Sequence, residues 1–208
     1  MSIIRFCDIL LSLFGLIITL PFNAVIASLI IMDSEGFPLY NQTRLGKNGV
    51  PFVLYKWRTM RKNAENGEEI LSRDGDDRIT SSGRILRNTF LDELPQLYNI
   101  LKGDMSFVGP RPERPGLSKR FSRIKDWNKR FKVRPGLTGI SQLCGVSSNT
   151  PEEKARLDRW FVENYSFRLY IKIGLLTCSM VLRKLFGIQC RNYQITTYNS
   201  QSKDRFNR

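Results

Sequence analysis

An uncharged stretch from Ile9 to Met32, built mostly of Leu, Ile, Val, Phe and Ala, constrains this chain more than any other feature. It is long enough to cross a bilayer, for which about 20 apolar helical residues suffice. The run exceeds the roughly 7–15 residues of a signal-peptide core and ends on no A-x-A site, so a retained membrane segment is expected. Pro21 lies near its middle, where proline forfeits a backbone hydrogen bond and bends a helix. Two arrangements fit: a straight span, or a hairpin of two short arms that dips into one leaflet and returns. Only Arg5 is basic ahead of the run, so counting flanking charges does not choose between them.

The remaining residues of the 208 suffice for one domain with its own core. Lys and Arg number 33 against 19 Asp and Glu, and the formal charge of +14 calls for an anionic partner: nucleic acid, anionic lipid or a phosphorylated substrate. Histidine is absent, which removes the commonest general base, the commonest transition-metal ligand and every Ser-His or Cys-His pair. Cys7, Cys144, Cys178 and Cys190 form no C-x-x-C pair, which fits a reducing, cytoplasmic compartment and no zinc site. An oxygen-only ligand set suits Mg²⁺, or Mn²⁺, better than zinc.

The organisation expected is a membrane anchor over 1–33, a cationic cytoplasmic domain over 34–189, which the resemblance given below makes the catalytic domain, and a polar tail over 190–208. Turns are read at Asp33–Gly36 and Gly46–Gly49, and a strand at Pro51–Trp57 that places Lys56 and Arg58 on one face. Residues 61–77 are polar, carry Asp74, Asp76 and Asp77, and are read as a solvated helix and loop. Arg84 and Arg87 share a face of a short basic helix. Residues 103–115 are too rich in Gly and Pro for a helix and read as a rigid loop. Lys119–Arg134 has the spacing of a basic amphipathic helix, and Arg134-Pro135-Gly136-Leu137-Thr138-Gly139 that of a turn. A helix from Pro151 to Tyr165, capped by Thr150 with Glu153 three residues on, comes next. Phe167–Ile188 is predicted to be an interfacial or core helix, its charge-free part being too short to span.

Between Thr89 and Leu101 two adjacent carboxylates, Asp92 and Glu93, stand in an apolar frame three residues ahead of Pro95. Proline suits the first turn of a helix, so a helix is predicted to begin near Asp92 and run through Leu97, Ile100 and Leu101. An aspartate there serves as a cap, or belongs to an anion site where unpaired N–H groups favour phosphate. Arg84 and Arg87 upstream and Gly109-Pro110-Arg111-Pro112 downstream bracket the pair with cations. No P-loop or G-x-G-x-x-G pattern is present. A membrane-tethered nucleic-acid binder or basic adaptor would also account for the charge, but no helix-turn-helix, RNA-recognition or zinc-finger pattern supports nucleic acid as the partner.

In order and spacing, several segments resemble the bacterial sugar transferase family of monotopic phosphoglycosyl transferases. They are the proline-containing apolar run, Gln42-Thr43-Arg44-Leu45-Gly46, Lys56-Trp57-Arg58-Thr59-Met60, Gly83-Arg84-Ile85-Leu86-Arg87, Leu91-Asp92-Glu93-Leu94-Pro95-Gln96-Leu97, Gly103-Asp104-Met105-Ser106, Val108-Gly109-Pro110-Arg111-Pro112 and Arg134-Pro135-Gly136-Leu137-Thr138-Gly139. The resemblance implies transfer of a phospho-sugar from a UDP-sugar to polyprenol phosphate with release of UMP, as the first membrane step of a surface glycan or glycoprotein glycan. It implies an α+β fold: a mostly helical compact domain with short strands, anchored by a re-entrant helix broken at Pro21 and by interfacial amphipathic helices. Leu20-Pro21 stands where many relatives have Ser-Pro. The implied location is the cytoplasmic face of the bacterial inner membrane, where donor and acceptor meet, which favours the hairpin over the span. Asp92 becomes the expected nucleophile, and Asp92 and Glu93 the expected magnesium ligands. Arg87, Pro110, Arg111 and Pro112, with Lys56, Arg58, Arg84, Arg134 and Asp158, form the expected substrate-binding set, although an Arg134–Asp158 pair would be structural. Self-association into a homodimer is left open.

Overall fold

The computed structural model describes residues 2–61, 76–146, 150–186 and 188. Most of the expected 61–77 segment and all of the 190–208 tail lie outside them. The first element, α1, spans Ile3–Asp33 as one helix of 31 residues, about 45 Å long at 1.5 Å per residue. Among the described residues it alone is long and apolar enough to cross a membrane.

The helical assignment runs through Pro21 without interruption. Proline there gives up the bond to the Ile17 carbonyl, but the ladder continues on both sides, and each half is held by the domain. Ile4, Asp8, Ser12, Ile26 and Ile30 form a buried stripe at helical spacing, reaching both sides of the proline. Asp8, almost fully buried, accepts through Oδ1 from Ser106 Oγ at 3.0 Å, Phe107 N at 3.1 Å and Tyr170 Oη at 2.9 Å. Arg5 donates to the Ile100 and Leu101 carbonyls, and at the other end Ser82 N donates to Asp33 Oδ2 at 2.7 Å. The opposite face, including Phe14, Ile17, Leu20, Phe22 and Val25, is exposed and apolar.

Strands β1 (Leu39–Leu45) and β2 (Pro51–Trp57) form an antiparallel hairpin whose tight connection places Asn48 and Gly49 at positive φ. The period of two sends Phe52 and Leu54 inward, and Lys56 follows with the same parity. Helix α2 (Ser81–Thr89) is capped by Thr80, whose hydroxyl accepts from Gly83 N. After a 3₁₀ turn at Leu91–Glu93, α3 covers Gln96–Lys102. Buried Asn99 on α3 accepts from Tyr55 N and donates to the Val53 carbonyl, fastening α3 to β2.

Strand β3 (Ser106–Val108) lies within the expected rigid loop and pairs in parallel with β4 (Gly136–Thr138). The pairing requires backbone contact at Gly136, where a Cβ would stand 2.0 Å from Gly109 N, so no other residue fits. Between these strands the expected continuous basic helix is absent. Helix α4 (Pro115–Phe121) is followed, after Asp126 at φ 64°, by a 3₁₀ segment at Trp127–Lys132. Burial of Trp127 and Arg130 turns the chain inward there, overriding the amphipathic pattern.

Short α5 (Ile140–Leu143), then α6 (Pro151–Glu163) and α7 (Phe167–Leu185), are the last elements among the described residues. Thr150 does not make the expected side-chain cap; Pro151 at the helix start leaves one fewer N–H to satisfy. Ile4, Val108, Ile140, Leu157, Phe161, Tyr170 and Ile173 form one core, while Phe52, Leu54, Leu97, Ile100 and Met105 form a second under the hairpin. The chain is thus mixed helix and strand, predominantly helical, with one candidate membrane helix.

Candidate active site

Helix α2 ends on Phe90, a bulky residue in the left-handed region at φ 60° and ψ 13°. Such a conformation is disfavoured for a side chain this large and persists where surroundings enforce it. It reverses the chain into the Leu91–Glu93 turn, and Leu94 and Pro95 carry on into α3. Because Pro95 has no N–H to extend the α-helical ladder backwards, the helix proper starts at Gln96, not Asp92. The carboxylates therefore occupy a tight turn, not an α-helix N-cap.

Lys56 reaches them from β2: its Nζ stands 2.7 Å from Glu93 Oε1 and 3.7 Å from Asp92 Oδ2. Arg111, in the loop after β3, donates to the same Glu93 oxygen at 3.1 Å. Arg87 on α2 is fixed by donating from Nε to Thr59 Oγ1 at 2.8 Å, and its charge acts on Asp92. The two carboxyls respond oppositely. Burial pushes Asp92 up, with Glu93 adding to the rise and Lys56 opposing it. Burial also acts on Glu93, but Lys56 and Arg111 outweigh it and hold that carboxyl at about 2. The Asp92 side chain is only 12% exposed, yet no hydrogen bond reaches it among the described residues. Its nearest cation is the Lys56 ammonium at 3.7 Å, and the carboxylate keeps some contact with solvent, from which a ligand can approach.

One face of this site is a crowd of guanidinium groups. Arg44, at the end of β1, donates to the Pro112 carbonyl at 3.1 Å and to Gln42 Oε1. Burial and the like charges of Arg111 and Arg114 push its guanidinium down to about 10. Closely spaced cations of this kind suit a ligand carrying several negative charges.

The family model for bacterial sugar transferases matches residues 1–184. The chain belongs to the bacterial sugar transferase family. It is an enzyme, a phosphoglycosyl transferase. A Bacillus subtilis relative, provisionally named an undecaprenyl-phosphate N-acetylgalactosaminyl 1-phosphate transferase, is 47% identical over 121 residues, which is 58% of this chain and 68% of the relative. A UDP-glucose:undecaprenyl-phosphate glucose-1-phosphate transferase of Caulobacter vibrioides is 38% identical over 168 residues, covering 78% of this chain but only 63% of that protein. The uncharacterized sugar transferase EpsL of Bacillus subtilis is 41% identical over 159 residues, 76% of each.

Several expected site residues of this sugar transferase lie elsewhere. Arg58 leaves the face it shares with Lys56 because β2 ends at Trp57; it donates to the Ser34 and Glu35 carbonyls at the end of α1. Arg84 is exposed on α2. Arg134 donates to the Gly103 carbonyl at 2.8 Å and does not pair with Asp158. Asp158 instead joins a buried ionic network: Arg130 stands 2.9 Å from Asp158 and 3.5 Å from Glu113, and Lys154 pairs with Glu113. Arg130 also donates to the Arg111 carbonyl at 2.9 Å, so the network braces the loop that presents Arg111. Pro110 and Pro112 stiffen that loop and accept through their carbonyls from Gly136 N and Arg44. Sequence reasoning assigned no role to Arg44, Asn99, Glu113, Arg130 or Lys154. Only the Gln-Thr-Arg-Leu-Gly run hinted at one of them, Arg44.

Proposed function

We propose that this enzyme transfers a sugar phosphate from a UDP-sugar to polyprenol phosphate in two displacements, with Asp92 as nucleophile. The observation that carries the reading is the unbonded, nearly buried Asp92 carboxylate beside Glu93, Lys56, Arg87 and Arg111. A carboxylate oxygen of Asp92 attacks the sugar-bearing phosphorus, the bond from that phosphorus to the bridging oxygen breaks, and UMP leaves with the electron pair. The resulting acyl phosphate then passes the sugar phosphate to the acceptor. Arg87 and Arg111, with Arg44 near Arg111, would neutralise the diphosphate, because phosphoryl transfer depends on positioning and charge compensation. Relatives named for glucose and for galactose transfer to undecaprenyl phosphate support the donor and acceptor classes, and their differing sugars leave the donor sugar open.

Two adjacent carboxylates fit a magnesium or manganese ion that completes its shell with substrate phosphates and water. No cluster of three acidic, His or Cys side chains that could cage a metal exists among the described residues, so an ion on Asp92 and Glu93 would take its other ligands from substrate or water. Asp92 and Glu93 would hold the ion, whose bound charge would offset that of the donor diphosphate.

For α1 we favour a membrane-embedded helix with both termini on the cytoplasmic side of the bacterial inner membrane. Support comes from Arg5 and Asp33, near its two ends, bonding to the same domain while the outward face stays apolar. Attachment of an impermeant label from outside intact cells to a cysteine placed before Arg5 would overturn this topology. The decisive functional test is UMP release over a panel of UDP-sugars with polyprenol phosphate; failure with every donor would reject the reading.

The nucleophile must be ionised, so the raised Asp92 carboxyl sets an acid limb to kcat/KM above the ordinary aspartate value. Lys56 pulls that carboxyl down. Lys56→Met is therefore expected to move the acid limb to higher pH, as a pH–rate profile will show; an unmoved limb contradicts the assignment.

A further inference from the structure

Helix α7 leaves the core on one face and presents another that nothing in the domain covers. Tyr170 and Ile173 are buried, while Ile171, Leu175, Leu182, Leu185 and Phe186 are exposed. Together with the outward face of α1, this apolar surface suits the bilayer interface, and basic side chains at its edge reach the lipid phosphates. At the C-terminal end of α7, Lys184 turns back toward the active site. Its Nζ stands 4.2 Å from the centre of the Phe90 ring.

The location of that contact is informative. Phe90 is the strained residue that starts the Asp92 turn, and it lies two positions before the nucleophile. Phe90 is 37% exposed, as is neighbouring Leu91, so the nucleophile's turn opens onto an apolar rim instead of a polar one. The cations closer to the carboxylates are committed: Lys56 and Arg111 to Glu93, and Arg87 to Thr59. Lys184 has no carboxylate partner among the described residues and touches only the face of an aromatic ring. A cation–π contact of this exposed kind is worth about 0.5–1 kcal/mol, so a phosphate readily recruits the ammonium.

We propose that Lys184, seated on Phe90, receives the phosphate of the lipid-borne acceptor and delivers it to the Asp92 turn. The inference rests on the two-displacement reading above and assigns its second step a binding residue. A phosphate oxygen of the acceptor attacks the phosphorus of the Asp92 acyl phosphate. The new phosphorus–oxygen bond forms as the bond to Asp92 breaks, and the carboxylate departs with the electron pair. The ligand class is a phosphate monoester on a long hydrocarbon chain, whose chain lies along the exposed apolar rim while its head meets Lys184.

The test uses the full chain reconstituted in phosphatidylcholine vesicles, with polyprenol phosphate titrated at saturating UDP-sugar. Lys184→Ala is expected to raise the KM for polyprenol phosphate about tenfold, the low end for loss of a charge-assisted hydrogen bond. Lys184→Arg is expected to keep it near the wild-type value. UMP released in a single turnover without acceptor should be the same in wild type and Lys184→Ala. An unchanged acceptor KM overturns the proposal, and so does an equal loss in both half-reactions, which would mark Lys184 as a structural prop. Stimulation of the wild type by phosphatidylglycerol that is absent in Lys184→Ala, with the acceptor KM unchanged, would assign Lys184 to bulk lipid and also reject the proposal. Absence of acceptor-independent UMP release from the wild type refutes the covalent reading itself, and the acceptor titration still judges Lys184 separately.

Discussion

Asp92→Asn is expected to abolish turnover, by on the order of 10⁴-fold or more, the scale reached when a covalent nucleophile is removed. Asparagine preserves the shape of the side chain but supplies no anionic oxygen to attack phosphorus. Incubation of the wild type with UDP-sugar alone should yield a protein carrying the sugar-phosphate mass, and the variant should yield none. Full activity in the variant would eliminate the role. The loss will not reflect unfolding. Because burial raises the Asp92 carboxyl in the folded state, its ionisation costs stability as pH rises from the ordinary aspartate value through the folded one. At neutral pH asparagine removes that cost. The variant should therefore melt no lower than the wild type at neutral pH, and any advantage should vanish in acid, where the aspartate is protonated in both states. A stability gain on removing a catalytic group is the usual mark of a site selected for reaction over packing.

The largest loss of stability is expected from Arg130→Met. Arg130 is 3% exposed, lies over the Trp127 ring, and serves Asp158, Glu113 and the Arg111 carbonyl at once. Its removal leaves Asp158 with Ser141 Oγ at 3.3 Å and no adjacent guanidinium. Removing one partner of a buried ion pair costs about 3–5 kcal/mol, or on the order of 10 °C in melting temperature for a domain of this size. Burial already pushes the Asp158 carboxyl up while Arg130 holds it down, so without Arg130 the carboxyl takes up a proton at higher pH. The deficit should thus be greatest at neutral pH and shrink in acid. Converting Asp158 to Leu in the Arg130→Met background should recover part of the stability, because the stranded charge is gone. Thermal melts of both variants against pH test this, and a single variant as stable as the wild type would contradict it.

Some of the architecture was legible because it depends on neighbours in sequence. The alternation in Pro51–Trp57 places Phe52 and Leu54 inward as strand geometry requires, and the observed strand has those bounds. The helical pattern of residues 151–165 survives as α6 to within two residues of its expected end. Lys119–Arg134 failed as a helix because buried Trp127 and Arg130 draw the chain inward, a demand that periodicity does not register. At Pro21 one helical hydrogen bond is lost, and the helical assignment continues on both sides, each half carrying part of the buried stripe.

The candidate site divides along the same line. The sequence by itself determined the chemistry available: no histidine, an Asp92–Glu93 pair, an apolar anchor and arginine-bearing loops in the family's order. It could not determine which cations face that pair, since parity along a strand places Lys56 and Arg58 together while the end of β2 sends them to opposite tasks. Only the tertiary structure decided that Lys56 and Arg111 converge on Glu93, that Asp158 belongs to Arg130, and that Asp8 ties α1 to β3 and α7. The reason is physical: a residue's type and its periodicity are local properties, whereas the burial and charge that set its role come from segments remote in the chain.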